Sequence, residues 1–204
     1  MRKLCLFAFT LLFIFLFANN QSIKSQNNQK AENSCFKHYI GELYGGGIVV
    51  AVWEKDGIEK GLIASLSDLG NEVSWSNVKT KLKNESLMDG KSCTDEIIAQ
   101  EGHTESAAKL CRDYRGGGFS DWYLPSIREL RVCFNTGYII YQVLGEKGAF
   151  QYDKYWSSTD HTGIAALACQ FAEDNPNSGM GFAGGNPALA IKSKKYRVRA
   201  VRQF

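Results

Sequence analysis

Tyr196-Arg-Val-Arg-Ala-Val-Arg-Gln-Phe204 closes the chain, and its alternation of residue types is the strongest indication of the fold. Side chains alternate between the two faces of a β-strand, so Tyr196, Val198 and Ala200 share one face and Arg197 and Arg199 the other. The stretch Lys192 to Phe204 is therefore predicted to be a closing strand with one apolar face.

The arginines of this stretch, Arg197, Arg199 and Arg202, are predicted to belong to the structural framework. We expect them to pair with internal carboxylates, because guanidinium groups bind carboxylates with two parallel hydrogen bonds. The candidate carboxylates are Asp121, Asp160 and Glu129. The alternative is a basic ridge that holds sulfate or carboxylate groups of a ligand.

Two further aromatic phrases, Ser120-Asp-Trp-Tyr-Leu-Pro125 and Tyr155-Trp-Ser-Ser-Thr159, belong with the closing strand. Trp122 and Trp156 are predicted to be core residues whose indole N–H groups find internal acceptors. Pro125 stands directly before a helix cap, where the chain must still be extended. We assign all three residues to the framework.

The N-terminal residues have the pattern of an export signal. Arg2 and Lys3 precede an uncharged apolar run that is short for a membrane span, which predicts a signal peptide over residues 1–20. A retained membrane anchor is the alternative. Residues 21–38 are polar and predict a flexible linker, and residues 39–204 are the right size for one domain. The mature protein is thus predicted to be exported to the periplasm, the cell surface or the medium, with no membrane span.

The charge and the cysteines limit the possible functions. Removing Arg2 and Lys3 lowers the formal net charge from +3 to +1, which gives no support for nucleic-acid binding. An oxidising compartment favours disulfides, and five cysteines remain after signal removal. Their pairing cannot be read from the spacing, and Cys111 is the one we expect to stay buried. The five are Cys35, Cys93, Cys111, Cys133 and Cys169.

The order of secondary structure predicts an α+β fold with short antiparallel strands and two or three helices in the middle of the chain. Asp56-Gly57 predicts the turn of a hairpin between strands at 48–53 and 61–65. Helices are predicted to begin at Thr94, at Thr104 and at the Ser126–Glu129 capping box. Strands are predicted at 155–159 and 165–171, and a loop at 173–187.

Seven phrases in order resemble a known bacterial family. They are Gly-Gly-Gly47-Ile-Val-Val, Gly61-Leu-Ile-Ala, Ala107-Ala-Lys-Leu-Cys111, Gly-Phe-Ser-Asp-Trp-Tyr-Leu-Pro125, Arg128-Glu-Leu130, Tyr-Trp-Ser-Ser158 and Tyr-Arg-Val-Arg-Ala-Val-Arg202. The family is the extracellular domain named after the C-terminal domain of the Legionella collagen-like protein, and the resemblance covers about Tyr44 to Phe204. It implies a C-type-lectin-like fold and a relation to formylglycine-generating domains. The named member is an adhesin associated with sulfated glycosaminoglycans, but this chain has no collagen-like stalk.

The candidate ligand-binding residues come from the predicted loop and the lysines after it, together with Trp75 and the Asp160-His161 pair, which would be displayed with the loop. They are Trp75, Asp160, His161, Asp174, Asn175, Asn177, Lys192, Lys194 and Lys195. Glu173-Asp-Asn-Pro-Asn177 offers hard oxygen ligands of the kind that Ca²⁺ takes, yet no second acidic-amide pair accompanies it. We therefore predict a solvated loop without a cofactor, with a calcium site as the alternative.

No catalytic arrangement emerges from the sequence. Ser157 or Ser158 beside His161 lacks a Gly-x-Ser-x-Gly elbow and an ordered acid partner. Cys133 and Cys169 do not stand in a sulfatase-modifying motif. The sequence predicts a non-catalytic module that recognises a glycan or another cell-surface polymer. The alternatives are an envelope assembly domain that binds itself or a protein partner and, last, an enzyme related to the formylglycine-generating domains.

Overall fold

The structure, a computed structural model, describes residues 36–171 and 184–204, and His38–Phe204 forms one compact unit. The strands in the described residues are β1 (Leu43–Tyr44), β2 (Gly47–Lys55), β3 (Ile58–Ser65), β4 (Gly70–Ser74), β5 (Lys154–Asp160), β6 (Ala165–Gln170), β7 (Pro187–Ile191), β8 (Lys195–Val198) and β9 (Val201–Gln203). The helices there are α1 (Gly90–Ile98), α2 (Ala107–Asp113), α3 (Ile127–Asn135) and α4 (Gly137–Gly148), with a 3-10 turn at Gly116–Gly118.

The strands form two sheets, with the order β1-β2-β3-β9 in one and β4-β8-β5-β6-β7 in the other. All pairs are antiparallel except β5 with β8, which is parallel. The four helices lie between β4 and β5 in the chain. The predicted α+β class is confirmed, and the finer C-type-lectin-like assignment stays a prediction.

The closing stretch is two strands, one in each sheet, where the sequence predicted a single strand. β8 belongs to the five-stranded sheet and β9 to the four-stranded sheet. Arg199 and Ala200 make the crossing, and the Ser65 N–H donates to Ala200 O at 2.9 Å. The Arg199 side chain is buried at this point. Because the strand is interrupted at Arg199 and Ala200, one short segment of chain belongs to both sheets.

The β2–β3 hairpin is as predicted, with Asp56 and Gly57 at its turn. Both turn residues have positive φ angles, 55° and 73°. This combination suits a two-residue hairpin turn whose twist matches that of its strands, and Asp-Gly is a favoured pair for it. The local sequence alone is enough to define this element.

One of the three predicted helix starts is confirmed, and two are wrong. Ser126 Oγ accepts from the Glu129 N–H, while Glu129 Oε2 accepts from the Ser126 N–H at 2.8 Å, which completes the capping box of α3. The N-cap residue of α1 is Asp89, whose side chain accepts the Ser92 N–H. Thr94 lies within this helix, and its Oγ1 is hydrogen-bonded to the backbone of Leu124. The α2 cap is Ser106. Helix α4, which has no side-chain cap, was not predicted.

The core contains three fully buried tryptophans, Trp75, Trp122 and Trp156. Each indole N–H donates to a backbone carbonyl: Trp75 to Ser157 at 2.8 Å, Trp122 to Gly116 at 3.1 Å and Trp156 to Val73 at 2.8 Å. The prediction that Trp75 is a surface aromatic for a ligand is therefore wrong. Trp75 is buried because strands later in the chain cover it. Its polar neighbours in sequence gave no indication of this burial.

The described cysteines, Cys93, Cys111, Cys133 and Cys169, are buried free thiols. The expectation of disulfides among them is wrong, while Cys35 lies outside the described residues. Burial favours the neutral thiol, so it raises the pKa of Cys93 to about 11 and that of Cys133 and of Cys169 to about 12. These side chains act as small apolar core residues.

Within residues 36–171 and 184–204, no helix is both long enough and apolar enough to cross a membrane. The predicted signal peptide and most of the predicted linker lie outside these ranges.

Candidate binding groove

A groove of about 460 Å³ lies on the surface between strand β4 and helix α2. Residues of β4 form one wall, the turn before α2 and α2 itself form the other, and one residue of β8 completes the lining. The lining residues are Glu72, Val73, Ser74, Thr104, Glu105, Ser106, Lys109, Leu110, Asp113 and Lys195. We call this feature the β4–α2 groove.

Backbone pairing beyond β4 creates the groove. Strand β4 is an outer strand of the five-stranded sheet, with β8 beside it. Just after it, the Ala107 N–H donates to Trp75 O and the Asn77 N–H donates to Glu105 O, both at 3.1 Å. These two bonds join the chain before α2 to the end of β4. Helix α2 therefore starts against the strand and leaves a cleft beside Glu72 to Ser74.

Ser106 fixes the first turn of α2. Its Oγ accepts the Lys109 N–H at 2.9 Å and lies 2.8 Å from Nε2 of His103. Burial, and to a lesser degree the Lys109 ammonium, lowers the pKa of His103, so the neutral ring is favoured. Ser106 is only 6% exposed. Its hydroxyl is thus committed to holding the helix start.

The groove carries charges of both signs, and only some of them are neutralised within the protein. Lys109 Nζ lies 2.6 Å from Asp113 Oδ2, an i,i+4 pair along α2. Glu72, Glu105 and Lys195 form no salt bridge with any residue in the described ranges. The unpaired charges in the groove are therefore two carboxylates and one ammonium. Val73 and Leu110 add apolar surface between them.

Of the residues predicted to bind a ligand, Lys195 alone is brought into the β4–α2 groove. His161 and Lys194 are exposed but do not line it. Asp174, Asn175 and Asn177, together with most of the predicted loop, lie outside the described residues. The end of that loop is corrected, since Pro187 already belongs to β7.

Asp160 and Lys192 are not surface ligands, which corrects their prediction. Lys192 Nζ lies 2.9 Å from Asp160 Oδ1, and the side chains are 2% and 0% exposed. The ammonium also stands 4.2 Å from the centre of the Trp75 ring. A buried charge needs a partner, and the two residues satisfy each other across the ends of β5 and β7.

The framework arginines use one of the three predicted carboxylates. Arg202 binds Asp121 with two hydrogen bonds, 2.7 Å from Nε and 2.9 Å from Nη2. This pairing lowers the pKa of Asp121. Asp160 binds Lys192 instead. Glu129 accepts hydrogen bonds from the Tyr123 hydroxyl and from the backbone at the start of α3.

Besides Asp153, Asp68 is a carboxylate partner of the arginines that the sequence did not predict. It lies 3.1 Å from Arg197 Nη1 and 3.2 Å from Arg199 Nε, and its Oδ2 accepts the Tyr155 hydroxyl at 2.9 Å. Arg197 also binds Asp153 at 3.1 Å. Asp68 lies in the short connection between β3 and β4, so its approach to the closing stretch depends on the pairing of distant strands.

The groove residues Glu72, Glu105, Lys109 and Asp113 were also missed. The i,i+4 spacing of Lys109 and Asp113 was the one local signal, and it indicates a solvated helix face rather than a site. Among the described residues there is no group of three or more His, Cys, Asp or Glu arranged to hold a metal ion.

The architecture is an α+β domain with a polar surface groove at the edge of one sheet. The chain belongs to the Lcl C-terminal domain family, whose model matches residues 64–202. This confirms the family predicted from the seven phrases, although the match begins within β3 rather than at Tyr44. It includes both walls of the β4–α2 groove. No curated protein matches the chain.

Proposed function

We propose that the protein is an exported, non-catalytic binding module that holds a segment of a glycan or similar surface polymer in the β4–α2 groove. An extracellular location agrees with the family, to which the matched residues 64–202 assign the chain. The observation that carries the proposal is the mixed lining of the groove. Val73 and Leu110 stand beside hydroxyl groups and charged groups in one open cleft.

This mixture suits a sugar, because a sugar ring has apolar C–H faces and a rim of hydroxyl groups. Thr104, Ser74 and the unpaired carboxylates offer hydrogen-bond partners to such hydroxyls. Binding sites for small ligands combine apolar surface with a few placed polar groups in this way. The groove volume of about 460 Å³ falls within the range of ordinary ligand sites.

A non-catalytic role fits the state of the nucleophilic side chains near the groove and in the core. Ser106 and His103 form a hydrogen-bonded pair, but the serine hydroxyl caps α2 and is almost fully buried. The four described thiols are buried, and burial raises the pKa of each. A thiol that stays protonated is a poor nucleophile.

The direct test is to block the groove and measure binding on a glycan array. Thr104 is an exposed lining residue, so Thr104→Trp fills the cleft without touching the core. Thr80→Trp is the matched control, because Thr80 is exposed and does not line the groove. We expect Thr104→Trp to lose at least tenfold in affinity and Thr80→Trp to behave like the wild type. Equal binding by the two variants contradicts this site.

A second candidate function, self-assembly in the cell envelope, is favoured by an exposed apolar face on α4. Its members are Tyr138, Ile139, Tyr141 and Val143. No charged residue occurs from Thr136 to Gly145, so two copies of this face meet without repulsion. Assembly predicts a concentration-dependent mass in sedimentation that Tyr141→Lys abolishes. A monomer at all concentrations excludes it.

A further inference from the structure

We propose that the β4–α2 groove prefers an amino-sugar polymer with free amines, which it binds in their protonated form, over N-acetylated and sulfated polymers. The inference rests on the proposed function and names the chemical class of the ligand. It is carried by the balance of unpaired charge inside the cleft.

The carboxylates of the groove outnumber its free cations. Asp113 and Lys109 neutralise each other at 2.6 Å, which leaves Glu72, Glu105 and Lys195 for a ligand. Glu72 belongs to β4, and Glu105 stands in the turn before α2. The two free carboxylates therefore come from opposite walls, and a ligand in the cleft passes between them.

A protonated amine in this position meets two complementary charges. Opposite charges at close range attract each other in water, and they attract more strongly where the protein excludes solvent. Val73 and Leu110 provide such low-dielectric surface within the cleft. A neutral acetamide gains none of this attraction. A sulfate group meets repulsion from the same carboxylates, which the one ammonium of Lys195 does not outweigh.

The remaining lining fits the rest of an amino sugar. The side chains of Ser74 and Thr104 are neutral donors and acceptors that suit ring hydroxyls. Lys195 stands opposite Ser74 in the β4–β8 pairing, so its ammonium lies at the strand wall. There it can donate to a ring or hydroxyl oxygen of the ligand. Amine, hydroxyl and apolar ring face thus each have a counterpart in the groove.

The test compares three oligosaccharides of equal length by calorimetric titration of the wild-type protein in mildly acidic buffer, in which most glucosamine amines carry a proton. They are a glucosamine hexamer, an N-acetylglucosamine hexamer and a heparin hexasaccharide. We expect the glucosamine hexamer to bind at least ten times more tightly than the acetylated one, and the heparin fragment to bind most weakly. The advantage of the glucosamine hexamer is expected to shrink as NaCl is raised, because salt screens exposed charges.

Charge-neutralising variants locate the effect. Glu72→Gln and Glu105→Gln are each expected to weaken glucosamine binding about three- to tenfold, and to leave the acetylated hexamer unchanged. Glu101→Gln is the matched control, because Glu101 is exposed in the neighbouring turn but does not line the groove. If a variant unfolds, the salt series on the wild-type protein still shows whether the preference for the glucosamine hexamer is electrostatic.

The outcomes separate the inference from the proposed function. Equal binding of both hexamers with no salt dependence overturns the amine preference but leaves glycan binding intact. Tighter binding of heparin overturns the preference in favour of anionic polymers. If none of the three binds and the glycan array is also blank, the proposed function itself is wrong.

Discussion

Lys192 Nζ lies 2.9 Å from Asp160 Oδ1 in a part of the fold where both side chains are almost completely excluded from water. The Asp160 carboxylate also accepts the backbone N–H groups of Leu82, at 2.8 Å, and His161, at 2.9 Å. Burial lowers the pKa of Lys192, and the hydrogen bond and charge of Asp160 oppose that effect. One ion pair thus connects the ends of two strands to the loop before α1.

Removing one partner of this pair is expected to be costly. Asp160→Asn leaves the Lys192 ammonium buried without a counter-charge, and we expect it to lower the free energy of unfolding by about 3–5 kcal/mol. The double variant Asp160→Asn with Lys192→Met is expected to cost clearly less than the two single changes added together. Urea denaturation of all four proteins measures the coupling. Lys194→Met, an exposed neighbour, is the control, and additive effects would show that the two charges do not interact.

Arg199 is expected to be far less replaceable than Arg197, although the two stand in the same phrase. Arg199 is buried, and its guanidinium donates to Ser65 O at 3.1 Å and Gly148 O at 2.6 Å. Lysine cannot reproduce this fork, so Arg199→Lys should cost about 2–4 kcal/mol of unfolding free energy. Arg197 is partly exposed, and Arg197→Lys should cost about 1 kcal/mol or less. Denaturant unfolding distinguishes the two, and equal losses contradict the assignment.

Elements encoded by neighbouring residues were predictable from the sequence. The Asp56-Gly57 turn and the Ser126–Glu129 box each work through contacts within four residues, and the structure has both. Helix α4 was missed because it starts at Gly137 without a capping side chain and is interrupted at Gly145. Its apolar residues also do not follow one buried stripe, since several face solvent.

Burial and site geometry were not predictable, because both depend on distant segments. Trp75 stands among polar residues in sequence, yet it is covered by the end of β7 and by β5, through Lys192 and Ser157. The β4–α2 groove takes its lining from three separated stretches at 72–74, 104–113 and 195. Only the docking of α2 beside an outer strand brings these stretches together.

Two glycines in turns are expected to respond very differently to alanine. Gly46 and Gly57 have φ angles of 81° and 73°, so a side chain strains either backbone by about 1–2 kcal/mol. At Gly57 an added Cβ meets nothing within 4 Å, whereas at Gly46 it would stand 2.5 Å from Gly116 O. Gly46→Ala should therefore cost at least about 2 kcal/mol more than Gly57→Ala in denaturant unfolding. Similar losses of unfolding free energy in the two variants would mean that the turn at Gly46 does not pack against the 3-10 turn at Gly116–Gly118.

The buried thiols are expected to be unreactive in the folded protein. At pH 8, Cys93, with its pKa raised to about 11, and Cys133, with its pKa raised to about 12, remain protonated and shielded. Iodoacetamide without reductant should label none of the four described cysteines in buffer and all four in denaturant, as read by peptide mass spectrometry. Labelling that requires prior reduction would reveal a disulfide and contradict the free-thiol assignment.

His103 is expected to make the fold sensitive to mild acid. Burial and the Lys109 ammonium lower its pKa in the folded protein below the ordinary value of 6.5. Above pH 6.5 the ring is neutral in both states, and its contribution to stability is complete. As the pH falls from 6.5 towards the lower folded pKa, the unfolded chain binds a proton that the folded chain does not, so the free energy of unfolding decreases.

The variant His103→Gln tests this pH dependence, because it keeps a hydrogen-bonding group near Ser106 and removes the group that titrates. The melting temperature of the wild type should therefore fall more between pH 7.5 and 5.5 than that of His103→Gln. His161→Gln, which changes an exposed ring, should follow the wild type. A wild type that gains stability relative to His103→Gln in acid would mean that the ring is protonated in the fold and that Ser106 Oγ accepts its hydrogen bond.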